Sequence, residues 1–345
     1  MEIDKKVMRN LKKGLRIFLI ITVISITVLL IFTVKKETFS SLKQIKPLFL
    51  GITLAICLCW IYLECLRLQT LGWAFGHWMS FRASAEFVLG GWFLTLTPFG
   101  VGGIPLQLYI LRKEGFRIGE GGAILAMRGL VTAIPFIFAI PIVIGYRYLF
   151  ASRGIRMLSG YLIAVVAVLF ILGVLVLFRT ERVKLRLGQL ANFFNRKGWA
   201  KVASGTLKLS KELDKFKEGF KRCWSYGIYR LLLTIILSAL ALFSFVMLAP
   251  FLFRGLGVQA PIIKTAIIQL LLRILLLFSP TPGASGIAEG AAYALFRPVC
   301  PKQELIGIFV VLWRFFTYYI GVILGGIIIL RMLAGGKTRT PTDRH

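Results

Sequence analysis

Acidic side chains are scarce in this chain: 14 Asp and Glu stand against 43 Lys and Arg, and only His77 and His345 are histidine. So little histidine argues against a histidine-based triad, and no zinc-type ligand spacing occurs. A membrane-embedded lipid-modifying enzyme needs acids and histidines clustered at a membrane face, and these are sparse here. No glycine-rich loop with a Lys-Ser/Thr pair is present, so a P-loop nucleotide engine is absent. The five cysteines are equally unremarkable as chemistry. Cys57 and Cys59 sit two apart in an apolar stretch, do not share a helix face, and read as small, soft hydrophobes. Nothing calls for a metal or a cofactor.

What the chain has instead is grease. Hydrophobic residues make up 57% of it and charged residues 17%, with a mean hydropathy of +0.81. A soluble domain averages about a quarter charged. Several apolar stretches approach or exceed the roughly 20 residues that cross a bilayer. The expected class is an all-α polytopic membrane protein. Full spans are predicted at 14–34, 47–65, 121–145, 158–178, 228–251 and 304–330. The first is too long for a signal-peptide core and has no convincing cleavage site after it. This gives a basic tail over 1–13, a transmembrane domain over 14–331 and a second tail over 332–345.

The net charge of +29 would suggest nucleic acid in a soluble protein. Here anionic lipid headgroups are the simpler partner. Basic residues place both termini on the cytoplasmic side of the cell membrane, although Lys35, Lys36, Lys43 and Lys46 then lie outside. The 179–225 loop carries apolar residues at helical spacing (Leu209, Leu213, Phe216, Phe220) among lysines. It reads either as a helix lying on an anionic inner leaflet or as a cytoplasmic linker with helical turns.

Two apolar regions, 84–111 and 261–296, are broken. Thr97-Pro98-Phe99-Gly100-Val101-Gly102-Gly103 interrupts the first, and Thr281-Pro282-Gly283-Ala284-Ser285-Gly286-Ile287 the second. Thr-Pro matches, as does the glycine four residues after each proline. An apolar span with one arginine follows each, Arg128 and Arg314. The pattern reads as an internal duplication. The arms of the first region are too short to cross alone, so it is expected to be a re-entrant hairpin; the first arm of the second, 261–279, either turns back or crosses. If it turns back, three full spans separate the breaks and the hairpins enter from opposite faces. Such an inverted repeat is a recurring transporter plan. Helices that restart after the breaks would present free N–H groups, which attract anions; alternatively, the Gly and Pro residues only permit close packing or a kink.

A Pro-x-x-x-Gly-Gly break early, a Thr281-Pro282-Gly283-Ala284-Ser285-Gly286-Ile287-Ala288-Glu289 break late and an arginine-bearing span after each resemble a known pattern. It is that of the flippase-like transmembrane family related to the N-terminal membrane domain of lysylphosphatidylglycerol synthase, over roughly residues 10–332. The resemblance implies movement of a phospholipid, an aminoacylated phospholipid or another lipid-linked substrate between leaflets. The short tail after the last span leaves no room for the synthase's soluble aminoacyl-transfer domain, so any lipid-modifying chemistry would come from a separate enzyme. The early motif also departs from the late one, since Pro105 stands where Glu289 stands.

Arg128 and Arg314 are the expected phosphate ligands, because guanidinium offers a planar donor fork to phosphate oxygens. Arg273 is a further candidate, or else approaches the membrane surface. Glu289 either pairs with Arg314 or receives a cationic headgroup. The candidate substrate site thus comprises Arg128, Arg273, Glu289 and Arg314 with Thr97, Pro98, Gly102, Gly103, Thr281, Pro282, Gly283 and Gly286. Glu64 and Arg230 are expected at the interface. Transport of an anionic lipid is the leading function, with a small-solute anion transporter and an embedded lipid-modifying enzyme as alternatives.

Overall fold

The computed structural model describes residues 45–96, 103–145, 228–277 and 279–335, with isolated positions elsewhere. Most of the predicted spans 14–34 and 158–178, most of the 179–225 loop, the basic N-tail and most of the C-terminal tail fall outside the described residues, as do Thr97, Pro98 and Gly102. Nine α-helices are present among those described, and no strand. They are α1 (Pro47–Ala74), α2 (Phe81–Leu94), α3 (Gly103–Lys113), α4 (Ile118–Gly145), α5 (Ile228–Gly255), α6 (Ile262–Leu276), α7 (Ile287–Phe296), α8 (Ile306–Arg314) and α9 (Ile320–Gly335). Among the described residues, four stretches are long and apolar enough to cross a membrane: Pro47–Ala74, Gly119–Ala139, Ile228–Gly255 and Gln303–Met332.

Helix α1 runs past the predicted end of its span at 65. Its last turns carry Arg67, Gln69 and Thr70, which read as loop by polarity but each find a partner while the backbone stays helical. Gln69 donates to the Met79 carbonyl (2.9 Å), and the Thr234 hydroxyl of α5 donates to Thr70 (3.1 Å). Satisfied in this way, polar side chains cost little in a buried helix. The stretch 66–83 is therefore mostly helix, and Arg67 belongs to the interior.

Helices α1 and α5 lie antiparallel along each other. The Lys46 amide at the head of α1 donates to the Gly255 carbonyl at the foot of α5 (2.8 Å). At the other end, the Arg230 guanidinium donates to the Trp73 carbonyl (3.0 Å) and stacks on the Trp73 ring, 4.3 Å from its centroid. Two short helix pairs pack against this framework. The outer ends of α2 and α3 meet where the Ser80 amide donates to the Glu114 carboxylate (3.1 Å) and the His77 and Phe116 rings touch. Gly103 at the start of α3 lies against Gly91 of α2, where a Cβ would stand 3.5 Å from the Gly91 carbonyl oxygen. Likewise, Lys302, beyond α7, donates to the Gly257 carbonyl ahead of α6 (3.5 Å). At 15 residues α6 is about 22 Å long, short of the roughly 30 Å hydrocarbon core.

The last span is continuous but not uniform. Five residues of π-helix, Phe315–Tyr319, join α8 to α9 directly after Arg314. Such a bulge frees a carbonyl and is frequent at functional sites. Here the Cys57 thiol donates to the Phe316 carbonyl (3.1 Å), and Thr317 donates to that of Trp313 (2.7 Å). Cys57 is buried while Cys59 is exposed, as their spacing required. Farther along, α9 lies hard against α2: a Cβ on Gly325 would stand 2.1 Å from the Leu89 carbonyl oxygen. One apolar core fills the space among α1, α5, α6, α7 and α8, and a second lies among the end of α1, α2, α3 and α4.

Candidate functional site

The late break meets the end of α2, just ahead of the early break. The Gly283 amide donates to the Thr95 carbonyl at the end of α2 (3.2 Å), and the Thr95 hydroxyl bonds the Tyr318 hydroxyl (2.9 Å). In the late break Gly283 and Gly286 take φ of 58° and 80°, in the left-handed region that glycine enters freely. Ala284 shares that region at φ 58°, where a Cβ costs about 1–2 kcal/mol. Side chains satisfy the unwound backbone, as an apolar environment demands. The Thr281 hydroxyl donates to the Ser285 carbonyl (3.0 Å) and the Ser285 hydroxyl to that of Pro282 (3.0 Å).

Glu289 closes this unit. One carboxylate oxygen accepts from the Gly286 amide (2.7 Å), capping α7; the other lies 3.2 Å from Nε of Arg314. The Arg314 guanidinium also donates to the Gly283 carbonyl and stacks on Tyr318, 4.2 Å from the ring centroid. Glu289 is 1% and Arg314 3% exposed. The Gly286 amide, just ahead of α7, is thus met by the protein's own carboxylate. Of the two roles open to Glu289, the structure has it paired with Arg314.

A second charged cluster lies between α1 and α4. Arg67 donates to Glu64 Oε2 at 2.6 Å, to the Thr132 hydroxyl at 2.9 Å and to the Ser238 hydroxyl at 3.0 Å. Arg128 reaches the same Glu64 oxygen at 3.9 Å and sits over the Phe87 ring. Glu64 is 5% exposed, which corrects its expected interfacial place. It supplies from another helix the carboxylate that the early motif lacks at Pro105.

Two cavities adjoin these clusters. One of about 320 Å³ is lined by Thr95, Thr281, Gly283, Arg314, Tyr318 and Arg273 among others. The other, about 510 Å³, is lined by Glu64, Arg67, Gln107, Arg128, Thr132 and Arg273 among others. Arg273 and Leu277 line both. Arg273 is held by rings, with its guanidinium carbon 4.2 Å from the Phe245 centroid, 5.6 Å from that of Trp60 and 6.0 Å from that of Phe136. It faces the interior rather than the membrane surface. Of the sequence-predicted residues, Arg273, Thr281, Gly283 and Arg314 come together around one cavity, with Glu289 and Gly286 directly behind Arg314. Arg128 lines the other cavity. Pro282 accepts from Ser285 within the late break, and Gly103 serves helix packing against Gly91.

Residues 17–325 match the family described as the lysylphosphatidylglycerol synthase TM region. The chain belongs to this family. It is also similar to a UPF0104 membrane protein of Archaeoglobus fulgidus, 26% identical over 317 residues that cover 89% of this chain and 93% of the relative. No solved structure matches. The synthase TM-region match concerns the membrane part alone, so it assigns no aminoacyl transfer.

Within this TM-region fold, sequence reasoning missed Arg67, Glu64, Thr132 and Tyr318. A signal existed for the first two: Glu64 and Arg67 stand three apart, the spacing of an ion pair on one helix face. Thr132 and Tyr318 are ordinary residues until the fold brings them to the arginines.

Proposed function

We propose that this protein moves a phosphate-bearing lipid between membrane leaflets through the paired cavities at its centre. The observation that carries this reading is the meeting of the late break with the end of α2, beside cavities walled by arginines. An arginine in the bilayer core needs a partner or a polar cavity, and a headgroup phosphate supplies two acceptor edges to a guanidinium fork. The acyl chains remain in lipid while the headgroup passes among Arg314, Arg273, Arg128 and Arg67. With no P-loop, the movement is downhill, ion-coupled or driven by a partner.

The same reading makes α2–α3 and α6–α7 two re-entrant hairpins of an inverted repeat. Support comes from contacts at opposite ends of the antiparallel α1–α5 pair. The α2–α3 ends gather by Ser80 and Glu114, just after the foot of α1. The α6–α7 ends gather by Gly257 and Lys302, just after the foot of α5. By the basic-residue bias, the first of these faces is cytoplasmic. Cysteines placed singly at Lys113 and Pro301, with the native cysteines replaced, are expected to react with an impermeant maleimide from opposite sides of sealed vesicles. Reaction of both from one side would overturn the inverted repeat.

The function is tested by flux. Vesicles of phosphatidylcholine containing the purified protein are expected to carry a fluorescent phosphatidylglycerol analogue across leaflets faster than protein-free vesicles. Equal rates would defeat the proposal. Uptake of inorganic phosphate without lipid movement would replace it with a solute transporter.

A further inference from the structure

Charge does not balance at the centre of this protein. The helices lining the two cavities carry four cations there, Arg67, Arg128, Arg273 and Arg314. Among the described residues only two anions face them, Glu64 and, behind Arg314, Glu289. The other described acids lie elsewhere. Glu86 pairs with Arg82 (3.0 Å), Glu114 and Glu120 accept from the Ser80 and Arg117 amides, and Glu304 precedes α8. The rest stand at 2, 4, 37, 181, 212, 214, 218 and 343, outside every apolar stretch. Among the described residues two positive charges are left over. Charge held in a membrane interior without a counterion is strongly unfavourable, so the balancing charge arrives with the ligand. A phosphodiester brings one negative charge, whereas a terminal phosphate brings about 1.5–2 at neutral pH.

One side chain is placed to register the difference. Arg67 is tied to Glu64, Thr132 and Ser238, Arg314 is tied to Glu289 and the Gly283 carbonyl, and Arg128 shares the Glu64 oxygen. Among the described residues Arg273 has no carboxylate within ion-pair distance and no hydrogen bond; three aromatic rings hold it instead. Stacking engages the face of a guanidinium and leaves its edge of N–H donors available. Arg273 itself lines both cavities. We infer that Arg273 is the recognition residue for a lipid whose headgroup bears a doubly charged phosphate, a phosphomonoester or a diphosphate, which it binds from either cavity. The inference rests on the lipid-translocation reading and narrows its substrate.

The test is equilibrium binding to the full-length purified protein of fluorescent phosphatidic acid and phosphatidylglycerol with identical acyl chains. At pH 7.5 phosphatidic acid is expected to bind about tenfold or more tightly, the worth of one added charged hydrogen bond. The second phosphate ionisation lies near pH 6. At pH 5 phosphatidic acid is therefore mostly a monoanion, and its advantage should disappear. The groups facing Arg273 are Glu64, Arg67 and Arg128 across one cavity, and Arg314 and Tyr318 across the other with Glu289 behind; the α5 side presents Phe245. No histidine lines either cavity, and phosphatidylglycerol measured over the same range reports any titration of the protein itself.

Arg273→Gln should weaken binding of both lipids and abolish the preference for phosphatidic acid; Arg273→Lys, which keeps the charge, should retain part of that preference. Competition by farnesyl diphosphate against lauryl phosphate distinguishes a diphosphate from a monoester ligand. Equal affinity for the two fluorescent lipids at pH 7.5 would overturn the inference, and so would a preference that survives Arg273→Gln. If Arg273→Gln fails to fold, the wild-type preference and its pH dependence still decide. Because binding is read without flux, selective binding with no lipid movement would sink translocation and keep this assignment. Lipid movement without selectivity would do the reverse.

Discussion

Arg314→Ala is expected to bring lipid transport down to the protein-free rate and to destabilise the fold by about 3–5 kcal/mol, the usual effect of stripping one partner from a buried pair. The reason is what stays behind. Glu289 is 1% exposed and would keep its bond from the Gly286 amide but lose its counterion, while the Gly283 carbonyl would lose its donor. Arg314→Lys keeps the charge without the planar fork, and should fold while transporting poorly. Combining Glu289→Gln with Arg314→Met removes both charges, and uncharged packing can replace a buried pair. That double variant should regain thermal stability but not transport. Full recovery of both would reduce the pair to a structural device, and a folded, fully active Arg314→Ala protein would remove Arg314 from the transport site. Purified yield, melting temperature and the vesicle assay separate these results.

Glu64→Gln is expected to be comparably severe, because one carboxylate oxygen serves two arginines. Arg67, 4% exposed, would keep Thr132, Ser238 and a neutral amide oxygen as acceptors but no negative charge. Arg128 would lose its only carboxylate among the described residues. A loss of about 3–5 kcal/mol should appear as a clear drop in melting temperature. Adding Arg67→Gln should restore part of it, since the second change removes one of the stranded cations. Unchanged stability and transport in Glu64→Gln would show that the cluster contributes nothing.

These two residues also mark how far the sequence could be read. Arg314 and Glu289 were legible because each breaks a rule: an arginine deep in an apolar run, and an acid closing a Thr-Pro-Gly motif. Glu64 and Arg67 were hidden by the opposite effect. Arg67, Gln69 and Thr70 look like the end of a span, and their partners (the Met79 carbonyl, and side chains on α4 and α5 far away in sequence) keep them helical. The cap on α7 was legible too, since an acid three residues after Gly286 is a capping arrangement. Arg273 was visible as a charge, but its lack of a carboxylate partner is a property of its neighbours. The hydroxyls of Thr95 and Tyr318 gain meaning only where the late break meets the end of α2.

The Glu289–Arg314 contact has a further consequence for biogenesis. The Glu64–Arg67–Arg128 cluster draws its charges from the first helices to be synthesised, so it can assemble early. Glu289 emerges ahead of Arg314, with the turn after α7 and all of α8 between them. Until that last span has inserted, α7 brings an acid toward the membrane with no arginine to meet it, and the late break cannot take its final form. The translation order thus leaves the second half of the protein waiting for its final helix, and a chain stopped before residue 306 would hold a buried carboxylate that nothing in it can neutralise in this way.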